Sequence, residues 1–184
     1  TIARTGSLTN PKLGEQSAKV AEFNLTAGSV EDLSVEGLTL YQLGNISNSN
    51  LTNFVLKQAG NTIATAANVN SNNSIVFNFN SAYNLEKGTT KTFEVYADIG
   101  TNARAGDTIK IYLDNDSDLF ARGKTYGYGV RVNRLAYNNN ETDPGEDGTT
   151  DGGDASWSTI EAGQITISYK GPAVTGYSVQ ATDV

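Results

Sequence analysis

"KVAEFNLTA", Lys19 to Ala27, is the stretch whose reading decides the fold. Ala21, Phe23 and Leu25 fall on one side and Glu22, Asn24 and Thr26 on the other, the period of two that marks a half-buried β-strand. The alternation recurs outward along the chain. "TKTFEVYADI" aligns Phe93, Val95, Ala97 and Ile99; "SIVFNF" aligns Ile75, Phe77 and Phe79; "DTIKIYL" aligns Ile109, Ile111 and Leu113. "LSVEGLTLY" carries Leu33 and Val35, then Leu38 and Leu40, and the change of parity at Gly37 predicts a bulge or bend. "NFVLKQAGNTIAT" reads as a hairpin, with Phe54 and Leu56 before a turn at Ala59-Gly60-Asn61 and Ile63 after it. "YGYGVRV" offers Val130 and Val132, and the tail offers Ile165, Ile167 and Tyr169, then Tyr177 and Val179.

Turn signals separate these runs at Glu86-Lys87-Gly88, Arg104-Ala105-Gly106-Asp107 and Arg122-Gly123-Lys124. No segment sustains a helical period, and the runs are rich in β-branched and aromatic residues. The expected fold is all-β: an Ig-like β-sandwich of about seven to ten strands, with a long acidic loop before a C-terminal strand.

Composition narrows the chemistry. The chain has 184 residues, enough to bury a core without staples. It contains no cysteine and no histidine, which removes thiolate sites, disulfides and a Ser-His-Asp arrangement. Carboxylate pairs of the glycosidase kind occur in almost any acidic β-protein, and nothing marks one here; we expect no enzyme. The net charge of −7 argues against nucleic acid as a partner. No run of 18 apolar residues appears, so no membrane-inserted helix is expected. Abundant Asn, Thr, Ser and Gly with sparse Lys and Glu suit an extracellular β-protein. The chain opens on Thr1 and holds no methionine, and we expect a processed or excised piece of something longer.

One segment breaks the rhythm. Asn138 to Asp154 has no apolar residue, and from Glu141 onward it holds six acids and no base, so its removal would bring the net charge from −7 to −1. The expected organisation is a β-sandwich module over 1–137, an acidic loop or linker over 138–158, and terminal strand material over 159–184.

The tail echoes the start. Thr1-Ile2 leads to Gly6-Ser7-Leu8-Thr9, and Thr159-Ile160 leads to Gly163-Gln164-Ile165-Thr166. Three readings follow. Ile165, Ile167 and Tyr169 close this sandwich, or begin a neighbouring repeat, or are given to another subunit by β-augmentation. Donation requires a matching gap in the receiver, because ordering a strand costs about as much as its burial returns.

Together, Ala21–Ala27, Glu31–Leu33, Gly88–Ile99 ("GTTKTFEVYADI") and Ala105–Ile109 ("AGDTI") resemble the tandem β-sandwich repeats of large bacterial cell-surface proteins, S-layer-like or adhesin-like. The resemblance covers about Ala18 to Leu113 and leaves out the acidic segment. It implies secretion, a cell-surface setting, a tandem or polymeric arrangement with self-association or neighbouring repeats as partners, and no catalytic residue.

Candidate sites remain. Asp114, Asp116 and Asp118 alternate in "DNDSD" and supply the hard oxygens calcium takes, although the EF-hand spacing fails at Leu119 and Thr125. The alternative there is a solvated acidic turn. Glu31 and Asp32 with Asp98 form a second oxygen set if their strand ends meet, and otherwise supply turn polarity. The acids of the 138–154 loop are a third, more costly to order. Tyr126, Tyr128 and Trp157 offer aromatic platforms to a glycan, or pack across strands. Lys19 and Lys91 lie in strands, but no asparagine in the final strand completes an isopeptide bond.

Overall fold

The computed structural model describes residues 1–132 and 165–167. Its strands are β1 (Ile2–Arg4), β2 (Ala18–Thr26), β3 (Leu33–Gln42), β4 (Leu51–Gln58), β5 (Asn61–Asn68) and β6 (Ser74–Leu85). They continue with β7 (Thr90–Ile99), β8 (Thr108–Ile109), β9 (Ile111–Tyr112), β10 (Leu119–Gly123), β11 (Gly129–Val130) and β12 (Ile165–Thr166). Two short 3₁₀ turns, Asn48–Asn50 and Asp116–Asp118, are the only helical segments among the described residues.

The protein is an all-β sandwich. One sheet runs β1-β2-β7-β4-β5 and the other β11-β10-β3-β6, with β9 also on β3. Every pairing is antiparallel. Lettered A to G, strands β1, β2, β3, β4, β7, β10 and β11 give the order A-B-E-D in one sheet and C-F-G in the other, the immunoglobulin arrangement. Strands β5 and β6 add one strand to each sheet beyond D and C.

The alternating residues read from the sequence fill the space between the sheets. Phe23, Leu25, Phe54, Leu56, Ile75, Phe77, Phe93, Val95, Ile99, Ile109, Ile111 and Leu113 are all buried. Phe23 stacks on Phe93 with ring centroids 5.6 Å apart, and Tyr83 meets Phe93 edge-on at 5.2 Å. The parity change at Gly37 is a bulge, where pairing jumps from Val35↔Tyr83 to Gly37↔Asn78. The Ala59–Gly60 turn joins β4 to β5 with positive φ at both residues, the twist that suits a two-residue hairpin.

Some elements differ from the sequence reading. Arg122 and Gly123 are not a turn; they end β10, and the chain reverses at residues 124–127. The β6 strand runs on past Phe79 to Leu85. A bulge at Val20 in β2 turns both Val20 and Ala21 inward. That bulge places Lys19 and Glu22, three residues apart, on one face, where Lys19 bridges Glu22 and, at 3.4 Å, Glu94. The Glu22 hydrogen bond holds the Lys19 ammonium above the usual lysine range, against the opposing effect of burial.

Of the terminal echo, the described residues allow one comparison at the leucine/isoleucine position. Leu8 lies outside any strand, whereas its sequence equivalent Ile165 is in β12. The acidic segment over 138–158, the sequence before β12 from 159, and residues 168–184 lie outside the described residues.

Candidate functional site

The C-terminal strand docks beside β8 of its own chain. Ile165 pairs with Ile109 and Thr166 with Thr108. Beyond that ladder, the Ile167 N–H donates to the Asp107 carbonyl at 3.0 Å and the Gly106 N–H donates to the Ile167 carbonyl at 3.3 Å. The Ile167 side chain is 1% exposed and joins the core. Tyr169, the third residue of the expected assembly strand, lies outside the described residues.

The slot is built from the other side by the chain leaving β3. The Leu43 N–H donates to the Lys110 carbonyl and the Ile46 N–H to the Thr108 carbonyl. The Asn45 carboxamide oxygen accepts from the Thr108 N–H at 2.6 Å and its hydroxyl at 3.0 Å. Buried Gln42 accepts from the N–H groups of Gly44 (2.9 Å) and Lys110 (3.0 Å). A Cβ on Gly44 would stand 2.0 Å from the Thr108 carbonyl oxygen, so only glycine admits this approach. These polar contacts hold β8 in place with β12 on its far flank.

Tyr126 and Tyr128 stand at the tip of the β10–β11 hairpin, 63% and 77% exposed. They do not pack across strands. The tip is held from below by Glu31, whose carboxylate accepts the successive backbone N–H groups of Thr125 (2.7 Å) and Tyr126 (3.1 Å). This is a backbone nest filled by the protein's own anion. The Lys124 N–H donates to the Asp32 carbonyl at 2.9 Å, and the Gly127 N–H donates to the Gly123 carbonyl at 3.0 Å. A Cβ on Gly123 would fall 2.1 Å from a Glu31 carboxylate oxygen, so the clamp requires glycine there. Trp157, the third aromatic of the expected platform, lies outside the described residues.

The oxygen set of Glu31, Asp32 and Asp98 does not form. Glu31 and Asp32 sit beyond the end of β2 at Thr26, whereas Asp98 is near the opposite end, where Ala97 pairs with Ala18. Asp98 instead accepts from the Ser17 N–H (2.7 Å) and the Asn53 carboxamide (2.8 Å), two residues with positive φ, and stabilises both irregular positions. Asp32 accepts from the Lys87 N–H at 3.0 Å.

The "DNDSD" acids lie on an excursion within one edge of β3. Tyr112 pairs with Tyr41 and Leu119 with Leu38, and residues 113–118 loop out between them. Asp118 accepts from the Asn115 N–H at 2.7 Å and completes a capping box, and Asp114 accepts from the Asn115 carboxamide at 3.1 Å. Among the described residues no group of three or more His, Cys, Asp or Glu side chains is placed to hold a metal ion. The acids do act on their neighbours. Burial, then Asp118 and Asp114, raises Tyr41 above the tyrosine range, and burial, then Asp114, does the same to Tyr112.

Sequence reasoning missed the roles of Glu31 and Gly44, because both depend on partners more than sixty residues away. The sole local signals were a glycine after a strand and a Glu-Asp pair at a turn. Comparison with known protein families, with curated proteins and with solved structures finds no match to this chain.

Proposed function

We propose that the chain is a structural module of a secreted cell-surface layer or filament, assembling through tandem or strand-sharing β-sandwiches. The observation that carries this reading is the form of the C-terminal attachment. A two-residue ladder and one buried side chain, Ile167, hold β12 in a slot of the sandwich. Residues 133–164 separate β12 from Val132. A chain of that length has a contour of about 110 Å, against roughly 35 Å for the width of a domain this size. A segment of that length is long enough for β12 to enter the equivalent slot of a neighbour as well as its own.

The test uses the absence of cysteine. Thr108 and Thr166 are directly opposed, a spacing that a disulfide spans. In a Thr108→Cys/Thr166→Cys variant oxidised over a concentration series, covalent dimers and longer chains that grow with concentration support strand sharing. Internal disulfides alone at every concentration overturn it.

A second reading, a glycan-binding module of an adhesin, is favoured by the exposure of Tyr126 and Tyr128 on a clamped tip. Rigid aromatic side chains bind sugar faces at low entropic cost. Glycan-array binding that disappears in Tyr128→Ala, with unchanged unfolding, supports it.

A further inference from the structure

A polar cleft of about 260 Å³ opens at the end of the sandwich remote from Tyr126 and Tyr128. It is lined by Asn45, Ser47, Asn50, Asn102, Arg104 and Asp107, and by no apolar side chain. Asn50 precedes β4 and residues 100–107 follow β7, at the end where Leu51 pairs with Ile99; the clamped tip lies beyond the other end, where Thr26 pairs with Thr90. Asn50 is 9% exposed. Its backbone is paired, with its N–H donating to the Ser47 carbonyl and its carbonyl accepting from the Gly100 N–H. Among the described residues its carboxamide meets no hydrogen-bond partner, yet neither polar atom is sealed from solvent, so the group opens onto the cleft it lines. The backbone makes room for it: a Cβ on Gly100 would fall 2.7 Å from the Asn50 carboxamide oxygen. Gly100 is not at positive φ, so its bare backbone serves this space and not a turn. A nearly buried carboxamide without a partner carries a cost that a bound ligand removes.

We propose that this cleft binds one neutral pyranose unit of a glycan. A sugar hydroxyl both donates and accepts, and the lining offers the same pairing, since each carboxamide sets an acceptor oxygen beside an NH₂ donor. The Asn45 oxygen is taken by the Thr108 N–H and hydroxyl, at 2.6 and 3.0 Å, which leaves its NH₂ as a donor. The Asp107 Oδ2 accepts the Arg104 N–H at 2.8 Å, which leaves Oδ1 as an acceptor. The Ser47 hydroxyl is 3.0 Å from that of Ser49 and retains capacity for a second bond. Donors and acceptors thus alternate around one small space, and the planar guanidinium and carboxylate each suit a pair of adjacent hydroxyls. The volume is below the roughly 300–1,000 Å³ of drug-sized sites, which limits the occupant to about one ring.

The lining also selects against other ligand classes. Arg104 brings one cation and Asp107 one anion, so neither sign of ligand charge is favoured. Among the described residues the Arg104 guanidinium forms no ion pair, and no acid joins Asp107 in a group that would hold a metal ion. An apolar ligand finds no apolar wall. No aromatic ring lines the cleft, so the sugar is read by hydrogen bonds to its edges, with the millimolar affinity expected of a ligand of about twelve heavy atoms. The proposal takes the ligand class of the second reading above to a separate site, and rests on the cleft and not on the tip.

The experiment titrates the full ¹⁵N-labelled chain with methyl α-glucoside, methyl α-mannoside and methyl β-galactoside in turn, each to about 50 mM. At least one is expected to give saturable NMR shifts at the Asn50 carboxamide and at the backbone amides of Gly100, Asn102 and Arg104, with a Kd of about 1–10 mM. Arg104 and Asn102 are exposed. Arg104→Gln and Asn102→Ala should therefore leave urea unfolding unchanged while weakening binding about fivefold or more. No saturable shift with any of the three glycosides overturns the proposal. So do shifts confined to Tyr126 and Tyr128, which belong to the tip, and cleft shifts that persist unweakened in Arg104→Gln. Tighter binding of methyl glucuronide than of methyl α-glucoside overturns the assignment of a neutral ligand. The outcome is separate from strand sharing, because Asn50 and Gly100 report the cleft and the Thr108–Thr166 pair reports β12.

Discussion

Replacing Ile167 by alanine measures how firmly the C-terminal strand belongs to its slot. Burial of the side chain contributes about 1.5–3 kcal/mol. The two outer backbone bonds of Ile167 and about two from the ladder add roughly 2–6 kcal/mol in total. Ordering residues 165–167 costs about 3–6 kcal/mol. The balance is a docking free energy near 2 kcal/mol. An isoleucine-to-alanine change in a fully coupled core costs about 2–5 kcal/mol, but a segment that docks with about 2 kcal/mol undocks before more can be lost. Ile167→Ala, Ile167→Asp and removal of residues 165–184 should therefore converge on one loss of about 2 kcal/mol in urea unfolding. Amide exchange at Gly106, which donates to the Ile167 carbonyl, and at Ile109, paired with Ile165, should rise in all three while β2 and β7 stay protected. A loss above about 4 kcal/mol in Ile167→Ala, larger again in Ile167→Asp, would refute the reasoning and make β12 an inseparable part of the sandwich. No change in either stability or exchange would show that Ile167 does not occupy the slot.

Three further outcomes follow from the same contacts. Glu31→Ala should cost about 1–2 kcal/mol by unfilling the nest of Thr125 and Tyr126 N–H groups, with faster exchange at those two amides by NMR and Glu31→Gln intermediate. Gly44→Ala drives a Cβ to 2.0 Å from the Thr108 carbonyl oxygen and should cost about 3 kcal/mol in thermal or urea unfolding; Gly28→Ala, with nothing within 4 Å, should stay near neutral. Stability should fall at alkaline pH: Lys19, Tyr41, Tyr83, Tyr96 and Tyr112 all have raised values in the folded chain. A raised value means the folded state holds its proton more tightly. The contribution is complete below the ordinary 10.0 of tyrosine and 10.5 of lysine and is lost as pH climbs through the folded values, which a urea series from pH 8 to 12 reads directly.

What was legible in the sequence was facing. Alternation records which side chains leave water, and wherever a strand is regular, as in Phe93, Val95, Ala97 and Ile99 of β7, the record is complete. Bulges degrade it. Val20 shifts β2 by one residue, so Lys19 belongs with Glu22 although parity separates them. Residues 79–82 leave the β6 ladder, so the pattern of Ile75 and Phe77 fades before Leu85 resumes it. The excursion 113–118 hides the fact that β9 and β10 lie along the same side of β3. Strand β10 buries Leu119, Ala121 and Gly123, and two small residues give too weak an apolar signal to outweigh a glycine beside lysine.

Partnership is a different kind of information. The Glu31 clamp and the Asn45–Thr108 contact join residues far apart in the chain, and neither partner's local sequence differs from that of an ordinary turn. The slot for β12 is more hidden still, because backbone N–H and C=O groups are common to every residue and leave no mark in composition. Cross-linking at Thr108–Thr166 therefore reads what composition leaves unmarked, namely whether β12 lies in the slot of its own chain or in that of a neighbour.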